Sequence, residues 1–396
     1  MIAATTDAPA PALPAIQRPA IVVAAILVLW LGTVLWTDSA TMAAVLLVGI
    51  GLGIALYHAA FGFTVAYRRA IVDRELSGIV AQAAMLIVAS LLFAPMLAAG
   101  EVFGHGVGGA IAPVGIDMLT GAFLFGIGMQ LGGACASGTL FTVGGGSPRM
   151  LVVLVCFCAG SWWGTLDLPW WRALPSLPPI SLAQAIGWLP AILLQAMTLG
   201  QILWLLYRFG GRVRRPLWWN GRFSGTALLR GPWPLLLGAL ALAVLNAVML
   251  ALTGSPWGVT WGFTLWGAKT AAALGWDPAT SVFWSADWTR IALTQSVLAS
   301  TTSVSDMGIV IGAFLAAALA GALRPAWRIG WRPLAAAVIG GLLMGYGARL
   351  AYGCNIGAFF SGVASTSLHG WAWIAMALPG SLIGIRLRPW FNLANP

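Results

Sequence analysis

Residues 126–147 read GIGMQLGGACASGTLFTVGGGS, and residues 345–366 read GYGARLAYGCNIGAFFSGVAST. Displacing the first stretch by 219 positions (126 onto 345) superposes Gly126 on Gly345, Gly128 on Gly347, Leu131 on Leu350, Cys135 on Cys354, Gly138 on Gly357 and Phe141 on Phe360. Each copy runs from an apolar helix through small residues and a cysteine to a Gly/Ser-rich break and a second apolar run. An internal repeat governs how everything else is read. Interrupted segments at corresponding positions of two membrane halves point to a ligand site between them. The two cysteine loops are therefore expected to meet inside a membrane.

Composition puts them there. Of the 396 residues, 60% are hydrophobic and 8% charged, against about 25% charged in a soluble domain. Such a chain cannot clothe itself for water, so it is an integral membrane protein. Its apolar runs are helix-length and not short alternating strands, which excludes an outer-membrane barrel. The expected fold is all-α and polytopic, with roughly 9–12 helical segments, short re-entrant half-helices and an internal repeat. Fifty glycines suit close helix packing, and 22 tryptophans, Trp162, Trp163, Trp170, Trp171, Trp218, Trp219, Trp371 and Trp373 among them, suit an interfacial belt.

Apolar segments fall at 20–36, 42–66, 78–99, 109–130, 150–163, 183–207, 234–252, 259–273, 308–323, 333–352 and 370–385. Brief pieces at 138–143 and 357–363 follow the cysteines and are too short to span. The chain divides into an Ala/Pro-rich disordered tail (1–18), a first membrane half (19–207), a basic cytoplasmic linker (208–232) and a second half (233–388). The first helix is read as uncleaved. The net charge of +10 comes from 19 arginines and the single Lys269. The arginines gather in loops at 68–74, 208–230 and 324–332, so the charge is a topology signal and not a nucleic-acid footprint.

Cys135 and Cys354 are the candidate working residues. A single cysteine in an apolar helix is usually a packing residue. Two at equivalent places in a repeat, bounded by Gly133, Gly138 and Gly357, point to thiols open to a ligand. A soft thiol donates weakly to, or exchanges with, an anionic sulfur species, and a half-helix N-terminus holds anionic oxygens. Gln130, Ser137, Asn355 and Ser361 are polar companions. Arg349 aligns with Gln130 and is either an intramembrane anion site or a snorkelling residue. Lys269 either attracts an anion or marks an interface. His369 reads as an interfacial cap, and Asp117 as a weaker candidate for proton coupling. The four cysteines have no zinc-ligand spacing, and Cys156 and Cys158 read as packing thiols. No nucleotide, metalloprotease or serine-hydrolase motif is present, so neither a metal nor a cofactor is expected.

At these residues the sequence resembles the YeeE/YedE family of bacterial membrane proteins, associated with uptake of sulfur compounds, notably thiosulfate. The resemblance rests on LGGACASGTLF with GGGSPR, on GARLAYGCNIGAFFSG with SLHGW, and on WGVTWGFTLWGAKTAAALGWDP between them. It implies an hourglass-like multi-pass inner-membrane transporter with an internal pseudo-twofold repeat, and not an enzyme. Cysteine loops would dip from both faces to a narrow, positively charged middle, where thiosulfate or a related sulfur or selenium anion passes by transient contact with Cys135 and Cys354. Relatives often carry a further cysteine in a segment like RSRFC; here the stretch is YHAAFGF, with Gly62 at that place. A TusA-like cytoplasmic sulfur carrier is the partner the resemblance implies. Two other readings stand beside it: a membrane-embedded thiol sulfurtransferase or redox protein, and a non-transporting subunit that docks a sulfur carrier.

Overall fold

The computed structural model describes residues 15–219 and 224–395. Most of the 1–18 tail, Arg222 of the basic linker and Pro396 lie outside the described residues. Among the described residues, ten helices or helix pairs are long and apolar enough to cross a membrane. In chain order the α-helices are α1 (Arg18–Asp38), α2 (Ala40–His58), α3 (Phe63–Val72), α4 (Ser77–Ala99), α5 (Ile116–Gly132), α6 (Ala136–Gly144), α7 (Pro148–Arg172), α8 (Leu182–Ile186), α9 (Trp188–Arg208), α10 (Gly225–Arg230), α11 (Leu235–Thr253), α12 (Thr260–Ala273), α13 (Val282–Ser285), α14 (Asp287–Thr294), α15 (Thr301–Ala320), α16 (Trp331–Leu350), α17 (Ser361–Ala364) and α18 (Leu368–Leu387). A π-helical turn, Asn355–Phe360, leads into α17. The strands are two-residue pairs in the connections. The fold is the all-α polytopic one that the composition implied.

Several boundaries differ from the sequence reading. The segment at 42–66 breaks at Ala59–Gly62, where Ala60 takes a φ of 44°, so α2 and α3 are separate. Residues 109–113 are not helical; the backbone N–H of Ala110 donates to Ser365 Oγ instead. Helix α7 runs on past 163 to Arg172, because Asp167 is satisfied there by the Tyr346 hydroxyl at 2.9 Å. Helix α15 begins at Thr301, seven residues before the expected 308, capped by Ser300. Trp373 is fully buried, stacked on Phe359 at 6.5 Å, and so belongs to the core and not to an interfacial belt.

The main helix contacts come in matched sets. Helix α16 packs on α7 as α5 packs on α18; α15 packs on α2 as α4 packs on α11; α15 meets α6 as α4 meets α17; and α5 and α16 meet each other. Glycine makes this possible, because lipid gives helices no hydrophobic drive to associate and close backbone approach must supply the attraction. Gly49, Gly53, Gly308 and Gly312 lie between α2 and α15, where any Cβ would strike backbone of the opposite helix; Gly121, Gly128, Gly340 and Gly347 do the same for α5 and α16. Outside this core, α1 and α9 leave Ile26, Leu29, Trp30, Leu193, Met197 and Trp204 exposed, a face suited to lipid and not to water.

The three arginine loops share one end of the bundle. The backbone N–H of Arg212 donates to Arg74 O, Arg215 pairs with Glu75 at 3.4 Å, and Arg230 Nε donates to Leu319 O at the end of α15.

Substituting Gly53 by alanine should therefore lower the melting temperature in detergent by several degrees, the effect of about 1–3 kcal/mol of overpacking. Gly200→Ala, on α9 with nothing within 4 Å of the new Cβ, should leave it unchanged. Equal melting of the two variants would refute the packing account.

Candidate functional site

Helix α5 ends at Gly132 because Gly133 adopts a φ of 94°, a left-handed conformation that glycine takes without strain. The chain then places Cys135 as the N-cap of α6. In the second copy α16 ends at Leu350, Gly353 takes a φ of 145°, and Cys354 is the N-cap of the π turn. Single π turns are rare and tend to occur at functional sites. Both cysteines are free, and each is 1% exposed or less. Ser137 Oγ lies 3.5 Å from Cys135 Sγ, and the Ile356 N–H donates to Cys354 Sγ at 3.4 Å.

The structure brings the two motifs together. Cys135 and Cys354 lie within electrostatic reach of one another. Tyr67, on α3, reaches the second of them: its hydroxyl accepts from Asn355 Nδ2 at 3.4 Å. Asn355 Oδ1 is buried without a hydrogen-bond partner among the described residues. Gly357 leaves space here, since a Cβ on it would come near only Gly258, whereas Gly138 is closely packed and a Cβ on it would crowd Ala134 at 3.0 Å and lie 3.5 Å from Cys135 Sγ. Ser361 accepts from Asn246 Nδ2 at 3.2 Å and donates to Trp257 O at 2.9 Å, so it ties α17 to α11 and to the 255–259 loop.

Cavities approach this junction from opposite ends. One of about 500 Å³ opens at the arginine-loop end, lined by Phe141 and Thr142 of α6 and by Arg149, Arg324 and Arg328. Another of about 220 Å³, at the far end of α11, reaches Trp257, Gly258 and Ser305; Gly258 is the residue that faces Gly357.

Other candidates have partners of their own. Gln130 Nε2 donates to Thr64 O, its Oε1 accepts from Arg68 and its backbone O accepts from Arg388 at 2.6 Å, so it locks α5 to α3 and the C-terminal segment. Arg349 lies at the end of α16 remote from the arginine loops, over the rings of Phe283 (5.3 Å) and Trp261 (5.9 Å). Lys269 Nζ donates to Leu293 O and Gln295 O, both at 2.6 Å, closing the C-terminal end of α14. Asp117 is ion-paired with Arg172, whose guanidinium lies 3.8 Å from the Tyr352 ring centroid, which removes the motive for a proton-coupling role. His369 is 1% exposed and bonded through Nδ1 to Ser367 Oγ at 2.8 Å, a buried cap and not an interfacial one. No His/Cys/Asp/Glu cluster among the described residues is suited to hold a metal.

Tyr67 and Arg149 were not among the sequence candidates. Nothing in VAYRR distinguishes Tyr67. Arg149 was visible in GGGSPR, and the structure gives it a role: NH1 and NH2 donate to Gly132 O and Leu131 O at 2.8 Å each, and Nε donates to Pro333 O at 3.1 Å.

The sequence profile of a family described as sulphur transport matches residues 58–383. The chain belongs to the sulphur transport family. Over 163 residues it is 32% identical to the probable transporter YedE of Escherichia coli, a match covering 41% of this chain and 40% of that protein. A YedE of Salmonella typhimurium is 32% identical over 156 residues, 39% of this chain and 38% of that protein. The chain thus matches about two fifths of the length of these two relatives. The thiosulfate transporter TsuA of Spirochaeta thermophila is 26% identical over 281 residues, 65% of this chain and 72% of that protein. The family and these names point to transport and not to catalysis.

Lys269→Met should lower the melting temperature by about 2–5 °C, in line with two lost charge-assisted bonds at a half-buried site. It should leave maleimide labelling of Cys135 and Cys354 unchanged. Altered labelling would place Lys269 in the thiol site after all.

Proposed function

We propose that the protein carries thiosulfate across the bacterial inner membrane, through a constriction where Cys135 and Cys354 contact the anion in turn. The observation that supports this most directly is the convergence of two cysteine N-caps, equivalent in the repeat and within electrostatic reach of each other, between cavities that open toward opposite ends. In this reading α6 and the 355–364 run are re-entrant half-helices related by a pseudo-twofold, with broken backbone at depth tolerated because protein surrounds it. The arginine-loop end is cytoplasmic by the positive-inside rule.

The chemistry is that of a weak, repeated handhold. Thiosulfate presents a soft terminal sulfur and three oxygens. A neutral S–H donates to the sulfur, and the N-terminal dipole of α6 favours the negative charge. Both contacts are weak, which suits a conduit, since a site that binds tightly releases slowly. Ser137 and the Ile356 N–H orient the two thiols. Arg149, Arg324 and Arg328 supply positive potential at the cytoplasmic mouth. That mouth is where a TusA-like carrier would collect the sulfur species. Gly62 stands where relatives often have a cysteine; it is the N-cap of α3, and a Cβ there would come within 4 Å only of Val65. The relay here accordingly rests on two thiols.

Labelled-thiosulfate uptake into proteoliposomes tests the reading. Cys135→Ala and Cys354→Ala should each lower the initial rate at least tenfold, while Cys156→Ala stays within about twofold of wild type. Full uptake by both alanine variants would sink the paired-thiol mechanism, and a wild type that moves no thiosulfate would sink the substrate.

A further inference from the structure

Asp306 sits in the sixth position of α15, fully buried, and neither carboxyl oxygen has a hydrogen-bond partner among the described residues. It contrasts with Asp117, Asp167 and Glu75, which are each paired or hydrogen-bonded. An ionised carboxyl left dry and unpaired costs far more than a neutral one, so a lone intramembrane acid is a site where a proton is bound and released. Three surroundings give this acid a task. It lies within electrostatic reach of Cys354, a thiol of the proposed pathway, and of Cys158. Its neighbour Ser305 lines the cavity at the end remote from the arginine loops. Gly262 of α12 presses on it so closely that a Cβ there would lie 2.5 Å from Oδ2.

Among the described residues it has no ion-pair or hydrogen-bond partner. The helices packed on α15 carry Tyr57 and His58 at the far end of α2, Lys269 on α12, already bound to two carbonyls, Arg18 and Asp38 on α1, Arg230 on α10, and no ionisable side chain on α6. Tyr57 lines the opposite cavity, and Arg230 Nε is bonded to Leu319 O.

We propose that Asp306 is the proton-carrying residue that couples anion movement to the proton gradient. The carboxyl takes a proton from water in the Ser305 cavity and so stays neutral while the anion is at Cys354. It returns the proton on the other side of the cycle, so one proton travels with each anion and no bond other than O–H is made or broken. This rests on the transport reading above.

The test uses wild type, Asp306→Asn and Asp306→Glu in proteoliposomes with the membrane potential clamped at zero. One-proton coupling makes the steady-state thiosulfate accumulation ratio change about tenfold per pH unit of gradient. Wild type and Asp306→Glu should follow the gradient. Asp306→Asn should exchange labelled for unlabelled thiosulfate yet ignore it. A gradient response in Asp306→Asn equal to wild type, or none in wild type that exchanges thiosulfate, overturns the proposal. Infrared spectroscopy reads the acid without any substrate, so failure of the transport reading is separable. A protonated-carboxyl band present in wild type and lost in Asp306→Asn is expected, and a wild type without it overturns the assignment.

Discussion

Breaking a helix inside an apolar slab strands carbonyls and amides that water cannot reach, at several kcal/mol for each group left unsatisfied. The cysteine site depends on how this protein meets that constraint. At the first break two arginines do it: Arg149 takes Leu131 O and Gly132 O, and Arg388 takes Gln130 O. Both reach in from the basic end, carrying charge that complements the negative C-terminal end of α5. At the second break, among the described residues, the cation is Arg172 over the Tyr352 ring and not a donor to the freed carbonyls. Cys354 holds the Ile356 N–H through its sulfur, and the π turn adjusts the backbone so that Ala358 N–H and Phe359 N–H both reach Cys354 O.

The two halves thus share a plan but not a chemistry. The position aligned with Gln130 is Arg349, yet Gln130 is a cross-link near the basic end, whereas Arg349 lies over Trp261 and Phe283 at the other. These two aligned residues lie at opposite ends of the bundle, one beside arginines and the other over an aromatic cluster. Arginines gather at the cavity of about 500 Å³, whereas the lining of the cavity at the other end carries no charged side chain.

Much was legible in the residues. Apolar run length and scarce charge establish a helical membrane protein, and the Gly/Cys spacing that recurs at 135 and 354 marks the junction. These signals are local, and local signals survive in a one-dimensional string. The polar companions were harder. Lys269, Arg349 and Gln130 each look like a ligand group in sequence; only their neighbours show Lys269 closing α14 and Gln130 locking α3. Asp306 falls just outside the apolar segment expected at 308–323, whereas Ser300 caps a helix that already contains it.

The sequence alone determined the class of molecule and displayed the recurring glycine–cysteine pattern, because hydropathy and a rare residue in a glycine frame need no partner to be recognised. The tertiary structure alone decided which polar groups are spent and which are left free. A carboxylate in a string has no partner; in the fold Asp117 finds Arg172, Asp167 finds Tyr346, and Asp306 has no hydrogen-bond partner among the described residues. Pairing is a property of positions brought together across hundreds of residues, so no reading of spacing along the chain contains it.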